Sequence, residues 1–174
     1  LRFENITLEA SDVKSIILNA NNIENVYANN IKLIKTGDVS NNRQGGLVGS
    51  LSNEMKNCGV NNVTIINETY STSTRIGGLV GETSNANINN CYATNINIQT
   101  KNNTYTGVGG LIGHVGRSTI TNCYTTGKIK IDGSNVGGLV GYMYNSKLYN
   151  SFAYVNITGN ATAIGGIVGN YASG

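Results

Sequence analysis

The sequence predicts an all-β chain wound as a parallel β-solenoid, and three observations carry that expectation. A glycine-rich pentapeptide recurs five times, as Gly45-Gly46-Leu47-Val48-Gly49, Gly77-Gly78-Leu79-Val80-Gly81, Gly109-Gly110-Leu111-Ile112-Gly113, Gly137-Gly138-Leu139-Val140-Gly141 and Gly165-Gly166-Ile167-Val168-Gly169, in steps of 32, 32, 28 and 28 residues. A period in that range marks stacked supersecondary units, each in contact with its neighbours. The apolar runs are short, β-branched and bounded by Gly and Asn, and none sustains an i, i+3, i+4, i+7 stripe. Each unit also ends on an alternating pair: Val63 and Ile65, Ile96 and Ile98, Ile129 and Ile131, Val155 and Ile157. Alternation of that kind is the period-2 signature of a half-buried strand.

Three short strands with polar turns fill a coil of 28–32 residues, one turn per repeat, stacked at about 4.8 Å. A β-propeller blade requires about 40 residues and four strands, more than this unit supplies. Five to six such coils are expected. Residues 45–174 divide into units 45–76, 77–108, 109–136 and 137–164 and a partial unit 165–174.

Residues 1–44 read as degenerate N-terminal coils or a cap. Ile23 to Leu33 repeats the spacing of Ile88 to Ile98, and Phe3-Glu4-Asn5-Ile6-Thr7-Leu8 has the form of an earlier unit's tail, yet no Gly-Gly pair precedes Gly45. Terminal repeats are commonly atypical because one face has no neighbour. The first two full units are four residues longer than the rest, with the excess placed at Asn67–Arg75 and Gln99–Thr106 as loops along one edge. The chain begins in mid-pattern and stops after a fifth motif, as expected of a fragment of a larger protein.

Within each unit the motif reads as a strand. Gly-Gly turns a corner into it, and the last glycine turns out, as residues without Cβ allow. Its Leu and Val are apolar in every copy, as are Ile76, Val108, Val136 and Ile164 just before it. A straight strand apolar on both faces must be covered on both sides, so either something packs outside this sheet or the segment bends.

Composition narrows the function classes. Charged residues are 12% of the chain, below the roughly 25% of ordinary soluble domains. Asn, with 29 copies, takes the polar role, and Pro is absent. A net charge of +3 is too small to imply a nucleic-acid partner. Residues 83–174 carry five basic side chains against Asp132 alone, which reads as a solvated face. No run of 18 apolar residues exists, so no membrane insertion is expected within this segment.

Cys58, Cys91 and Cys123 recur at one phase, after Asn57, Asn90 and Asn122, with Val26 and Ser151 in the same column. The position asks for a small buried side chain. Three thiols in line are neither a tetrahedral zinc site nor a Cys-x-x-Cys motif, and in-register parallel strands hold them poorly for a disulfide. They read as inert core thiols. No metal or other cofactor is expected.

The combination of Gly-Gly-Leu-Val-Gly with Asn90-Cys91-Tyr92-Ala93-Thr94 resembles the GLUG-motif repeats of bacterial surface proteins, including the zinc metallopeptidases that cleave immunoglobulin A. The resemblance covers roughly residues 20–174. It implies a secreted or cell-wall-associated module whose partners are other domains of one parent chain. The His-Glu-x-x-His motif of those metallopeptidases is absent, so the resemblance brings no catalytic residue here.

No other catalytic constellation is expected. His114 is the sole histidine, at a phase where other repeats place Ser50, Glu82, Tyr142 and Asn170, a variability that reads as an exposed, unconstrained position. The nine acids recur at no phase, and no Asp cluster suits Ca²⁺. Six Asn-x-Ser/Thr sequons, at Asn5, Asn62, Asn67, Asn102, Asn156 and Asn160, are about what 29 Asn and 30 Ser/Thr produce by chance. Two classes of function follow. One is a non-catalytic structural scaffold or spacer. The other is an adhesion module binding a host glycoprotein or glycan along its side face, through the column Tyr27, Tyr92, Tyr124 and Phe152. With Cys91 inward, Tyr92 points outward, and exposed aromatics can stack on sugars or anchor proteins.

Overall fold

The computed structural model describes residues 1–40, 42–68, 70, 73–101 and 107–173, and it is a parallel β-solenoid of about five turns. Every strand pairing among the described residues is parallel, and the strands form two nine-stranded sheets. The second full coil shows the plan. Arg75–Gly77 approaches a corner, Val80–Ser84 returns from it, Asn87–Asn89 forms a short side, and Tyr92–Thr100 forms the long side. Approach and long strands belong to one sheet, return and short strands to the other. The three strands expected per coil are present. The three-residue side is additional, and its single inward residue is Ile88, Ile120 or Leu148 between two turns.

The motif is a corner rather than a strand. Gly77 ends the approach strand, Gly78 and Leu79 form the bend, and Val80 and Gly81 already belong to the return strand. This bend turns Leu79 and Val80 both inward, and Ile76, Leu79 and Val80 are all fully buried. The two-sided apolar pattern therefore needs no outer layer. Hydrogen bonding continues through the bend, with the Gly46 N–H donating to the Gly78 carbonyl (3.1 Å), and Leu79 N–H to Leu111 (2.9 Å).

Space, not dihedral freedom, explains the glycines of the motif. None has φ in the left-handed region. A Cβ on Gly78 would lie 2.9 Å from Ile96 Cγ2 and 3.1 Å from Ala93 Cβ, and closer still to the Gly110 carbonyl of the next coil. A Cβ on Gly81 would lie 2.8 Å from the Arg43 carbonyl carbon, on the preceding coil's approach strand. At this edge the two sheets converge backbone to backbone, and a methyl group has no room.

Left-handed corners go to Asn instead. Among the described residues, twelve of the fourteen non-glycine positions with positive φ are Asn, Ser73 and Arg117 being the others. Asn tolerates this conformation better than other residues with a Cβ. The same amides bond along the stack: Asn62 Nδ2 to Asn30 Oδ1 at 2.7 Å, Asn30 to Asn5 at 2.8 Å, and Asn90 to Asn57 at 2.8 Å. Asparagine thus serves as both turn former and rung-to-rung tie.

Buried columns run along the axis. Leu47, Leu79, Leu111 and Leu139 are each fully buried, and Ile167, on the last rung, is 36% exposed. One interior column is polar at its N-terminal end: Lys35, Asn67 and Thr100 precede Ile131. Lys35 donates to the Val39 carbonyl (3.2 Å), and burial pushes its ammonium below the ordinary range against the pull of Asp12 and Asp38.

Phe3 to Leu8 pairs in register with Ala28 to Leu33 as the long side of an earlier coil. Parts of both extra loops, the sequon Asn102 and the last residue, Gly174, lie outside the described residues. Not all the extra length of the second unit is loop. Thr94 and Asn95 lie between Ala93 and Ile96, where the next coil has only Thr126 between Thr125 and Gly127.

Candidate functional site

The aromatic column forms as a stack. Tyr92 and Tyr124 rings lie 5.5 Å apart at 18°, Tyr124 and Phe152 5.2 Å apart at 8°, and Tyr27 and Tyr92 6.5 Å apart at 32°. Parallel strands in register place equivalent side chains one rung apart, close to aromatic stacking distance. Tyr27 and Tyr92 are two rungs apart, with Gly59 between them. The missing side chain at Gly59 lets the Tyr92 ring lean over the gap, into the volume a Cβ there would occupy. Gly59, the exception to the aromatic rule, is therefore the space Tyr92 fills.

These rings lie outside the core, as the phase relation with Cys91 requires. Tyr27, Tyr92 and Tyr124 are half-buried, and Phe152 is 55% exposed. Each face in the stack lies against the next ring, so the column presents edges and hydroxyls along its length and an open face at Phe152. Burial, with Tyr124 and Tyr27 adding to it, pushes the Tyr92 hydroxyl pKa up. A shallow depression of about 260 Å³ adjoins the Gly59 gap, lined by Arg2, Glu4, Tyr27, Asn29, Asn61 and Tyr92.

A second cluster, on the return-strand face, was not legible as a site. Ser50, Glu82, His114, Tyr142 and Asn170 are register partners on successive rungs. His114 is not the unconstrained position its variability suggests. Its side chain is 26% exposed, and its ring stacks on Tyr142 at 5.1 Å and 10°. Its Nδ1 lies 3.7 Å from Glu82 Oε1. Glu82 in turn accepts a short hydrogen bond from Arg43 Nε and lies 3.5 Å from Arg75 Nε. Burial pushes the His114 pKa down; Glu82 opposes this, and Arg75 and Arg43 reinforce it. A one-phase column in a solenoid is a list of spatial neighbours, and treating that list as alternatives concealed the cluster.

The groove beside this cluster has a volume of about 430 Å³ and is lined by Arg43, Asn19, Asn21, Ser50, Ser52 and Glu82, among others. A second hollow of about 230 Å³ adjoins it, sharing Arg43, Asn19 and Ser50 and adding Lys14 and Leu18.

Cys58, Cys91 and Cys123 are buried and free, stacked in one column. Their thiols donate to the carbonyls of Lys56, Asn89 and Thr121, each at 3.2 Å. Contacts with Cys123 and Cys58, together with burial, push the Cys91 thiol pKa up, so it holds its proton. Among the described residues, no three His, Cys, Asp or Glu side chains gather as a metal site would require. No helix in the described residues is long and apolar enough to cross a membrane.

Comparison with known families gives one match. The model of the GLUG motif matches residues 72–99 and 104–130, two consecutive units of this stack. No curated protein and no solved structure matches the chain.

Proposed function

We propose that this chain, a carrier of GLUG repeats, is a non-catalytic spacer or scaffold in a secreted or cell-surface bacterial protein, holding other domains of its parent at a set distance. A zinc metallopeptidase domain is one such neighbour under this reading. The observation that supports it is the continuity of the stack. The interior Leu column and the backbone ladder run without a break through the Gly-Gly corners, so bending the rod means breaking rung-to-rung hydrogen bonds. The most ordered aromatic feature also fits, because ring faces stacked on each other stiffen the rod more than they offer a platform.

Single-molecule stretching tests the spacer reading. The expected trace holds a constant length and then lengthens in steps of one or more coils, each about 90–100 Å of released chain for 28 residues. Smooth lengthening from the lowest forces would refute a load-bearing rod. Absence of catalysis is checked by hydrolase panels on peptide, glycoside and ester substrates, where any turnover abolished by His114→Gln would refute it.

Adhesion to a host glycoprotein or glycan along the side face is the second reading. The depression over Gly59 favours it, since it sets an aromatic edge beside Asn29 and Asn61. Glycoprotein binding that is lost in a Tyr92→Ala, Tyr124→Ala double variant with an unchanged fold would favour adhesion. Binding that survives the double substitution would exclude this column.

A further inference from the structure

We propose that the groove around Arg43 is a binding site for an acidic sugar, a hexuronate unit of an anionic glycan, with Arg43 as the carboxylate ligand. The site is separate from the aromatic column and does not depend on the spacer reading. Arg43 sits where the two hollows meet. Its side chain is 42% exposed, and Glu82 holds only the Nε edge of the guanidinium. Among the described residues no side chain or carbonyl takes its two terminal nitrogens. A guanidinium fixed at Nε with its other donors open is prepared for a carboxylate, because little side-chain freedom remains to be lost.

Glu82 does not cancel this charge. It is shared between Arg43 and Arg75, so the three groups together carry one net positive charge, and Lys14 adds another at the rim. Lys14 is itself partly balanced by Asp12 at 3.3 Å. The remaining polar lining is neutral: Asn19, Asn21, Ser50 and Ser52. Amides and hydroxyls both donate and accept, which matches the hydroxyls of a sugar ring. An acidic peptide would bring amide groups and further carboxylates, for which the groove has no further arginine. The exposed Leu18 offers an apolar contact at the edge for a ring face.

The test uses the whole chain and three probes: tetragalacturonate, its fully methyl-esterified form, and tetra-aspartate, each titrated by NMR chemical-shift perturbation at low salt. Tetragalacturonate is expected to bind with shifts centred on Asn19, Arg43 and Ser50, at least ten-fold more tightly than either other probe. Arg43→Gln is expected to weaken it at least ten-fold and Arg43→Lys several-fold, since Lys keeps the charge but loses the fork. Because Arg43→Gln also removes a partner of Glu82, Asn19→Ala serves as a second variant remote from that ion pair, with an expected loss of a few-fold and an unchanged melting curve. Equal binding of the methyl ester overturns the carboxylate role, and equal binding of tetra-aspartate overturns the sugar assignment. No binding of tetragalacturonate, or shifts that map to Tyr92 and Tyr124, overturns the site.

Discussion

Replacing the second glycine of the motif tests the crowded corner directly, because one copy of that glycine lacks the crowding. In Gly78→Ala the new methyl would lie 2.9 Å from Ile96 Cγ2 and 3.1 Å from Ala93 Cβ, with the Gly110 carbonyl nearer still. Ordinary carbon contacts are about 3.5–4.0 Å, so neighbours must retreat by about 0.5–1 Å. Ile96 and Ala93 are fixed in the long strand, and the Gly110 carbonyl accepts the Gly78 N–H at 3.1 Å, so yielding there breaks a ladder bond. Overpacking of a close-packed interior costs about 1–3 kcal/mol, and backbone contacts set this case at the upper end, about 3 kcal/mol. For a chain of this size that lowers Tm by about 6–12 °C. Gly166, at the same motif position one coil from the end of the stack, has nothing within 4 Å of an added Cβ. Gly166→Ala should therefore leave Tm unchanged or raise it slightly, since Ala restricts the unfolded chain by about 0.4–1 kcal/mol. Thermal melts followed by far-UV circular dichroism decide the matter. Equal losses in the two variants would show that the glycines serve something other than rung-to-rung clearance.

Three further outcomes are expected. Leu111→Ala, in the fully buried Leu column, should cost about 2–5 kcal/mol in chemical denaturation, and a change below 1 kcal/mol would remove that column from the core. The three thiols should label slowly in the native state and fully after denaturation in an Ellman titration, and fast native labelling of Cys91 would contradict its burial. His114, facing Glu82, Arg43, Arg75 and the Tyr142 ring, has a folded pKa below its ordinary 6.5. The unfolded chain then binds the proton more readily, so stability should fall as pH drops through about 6.5 and level off below the folded pKa. His114→Gln should flatten that slope, and a melting-temperature profile identical to the parent's would contradict the shift.

The fold was legible because its signals repeat. Five copies of one corner, and an alternating pair at a fixed distance after each, leave little room for another architecture. The Gly-Gly-Leu-Val-Gly segment itself was misread, because two apolar neighbours look alike in a straight strand and in a bend. Only the buried Leu79 and Val80 beside the Gly78–Leu79 bend separate the cases. The aromatic column was visible in the phase of Tyr27, Tyr92, Tyr124 and Phe152, but not the leaning of Tyr92 over Gly59, which depends on a side chain that is absent. His114 was missed for a different reason. Its partners Glu82 and Tyr142 are 32 and 28 residues away in sequence and one rung away in space.

That last column has a consequence for how such a chain can change by gain or loss of whole units. Interior positions carry nearly the same residue on every full rung, so removing or duplicating a coil keeps Leu against Leu and leaves the core intact. The outer column does not share this indifference. Excising the coil that bears Glu82 would seat His114 against Ser50 and remove the acid that steadies Arg43, while excising the coil bearing His114 would bring Tyr142 onto Glu82. Rearrangement by single coils can therefore recompose the surface chemistry in one step, at almost no cost to folding and without a single point mutation.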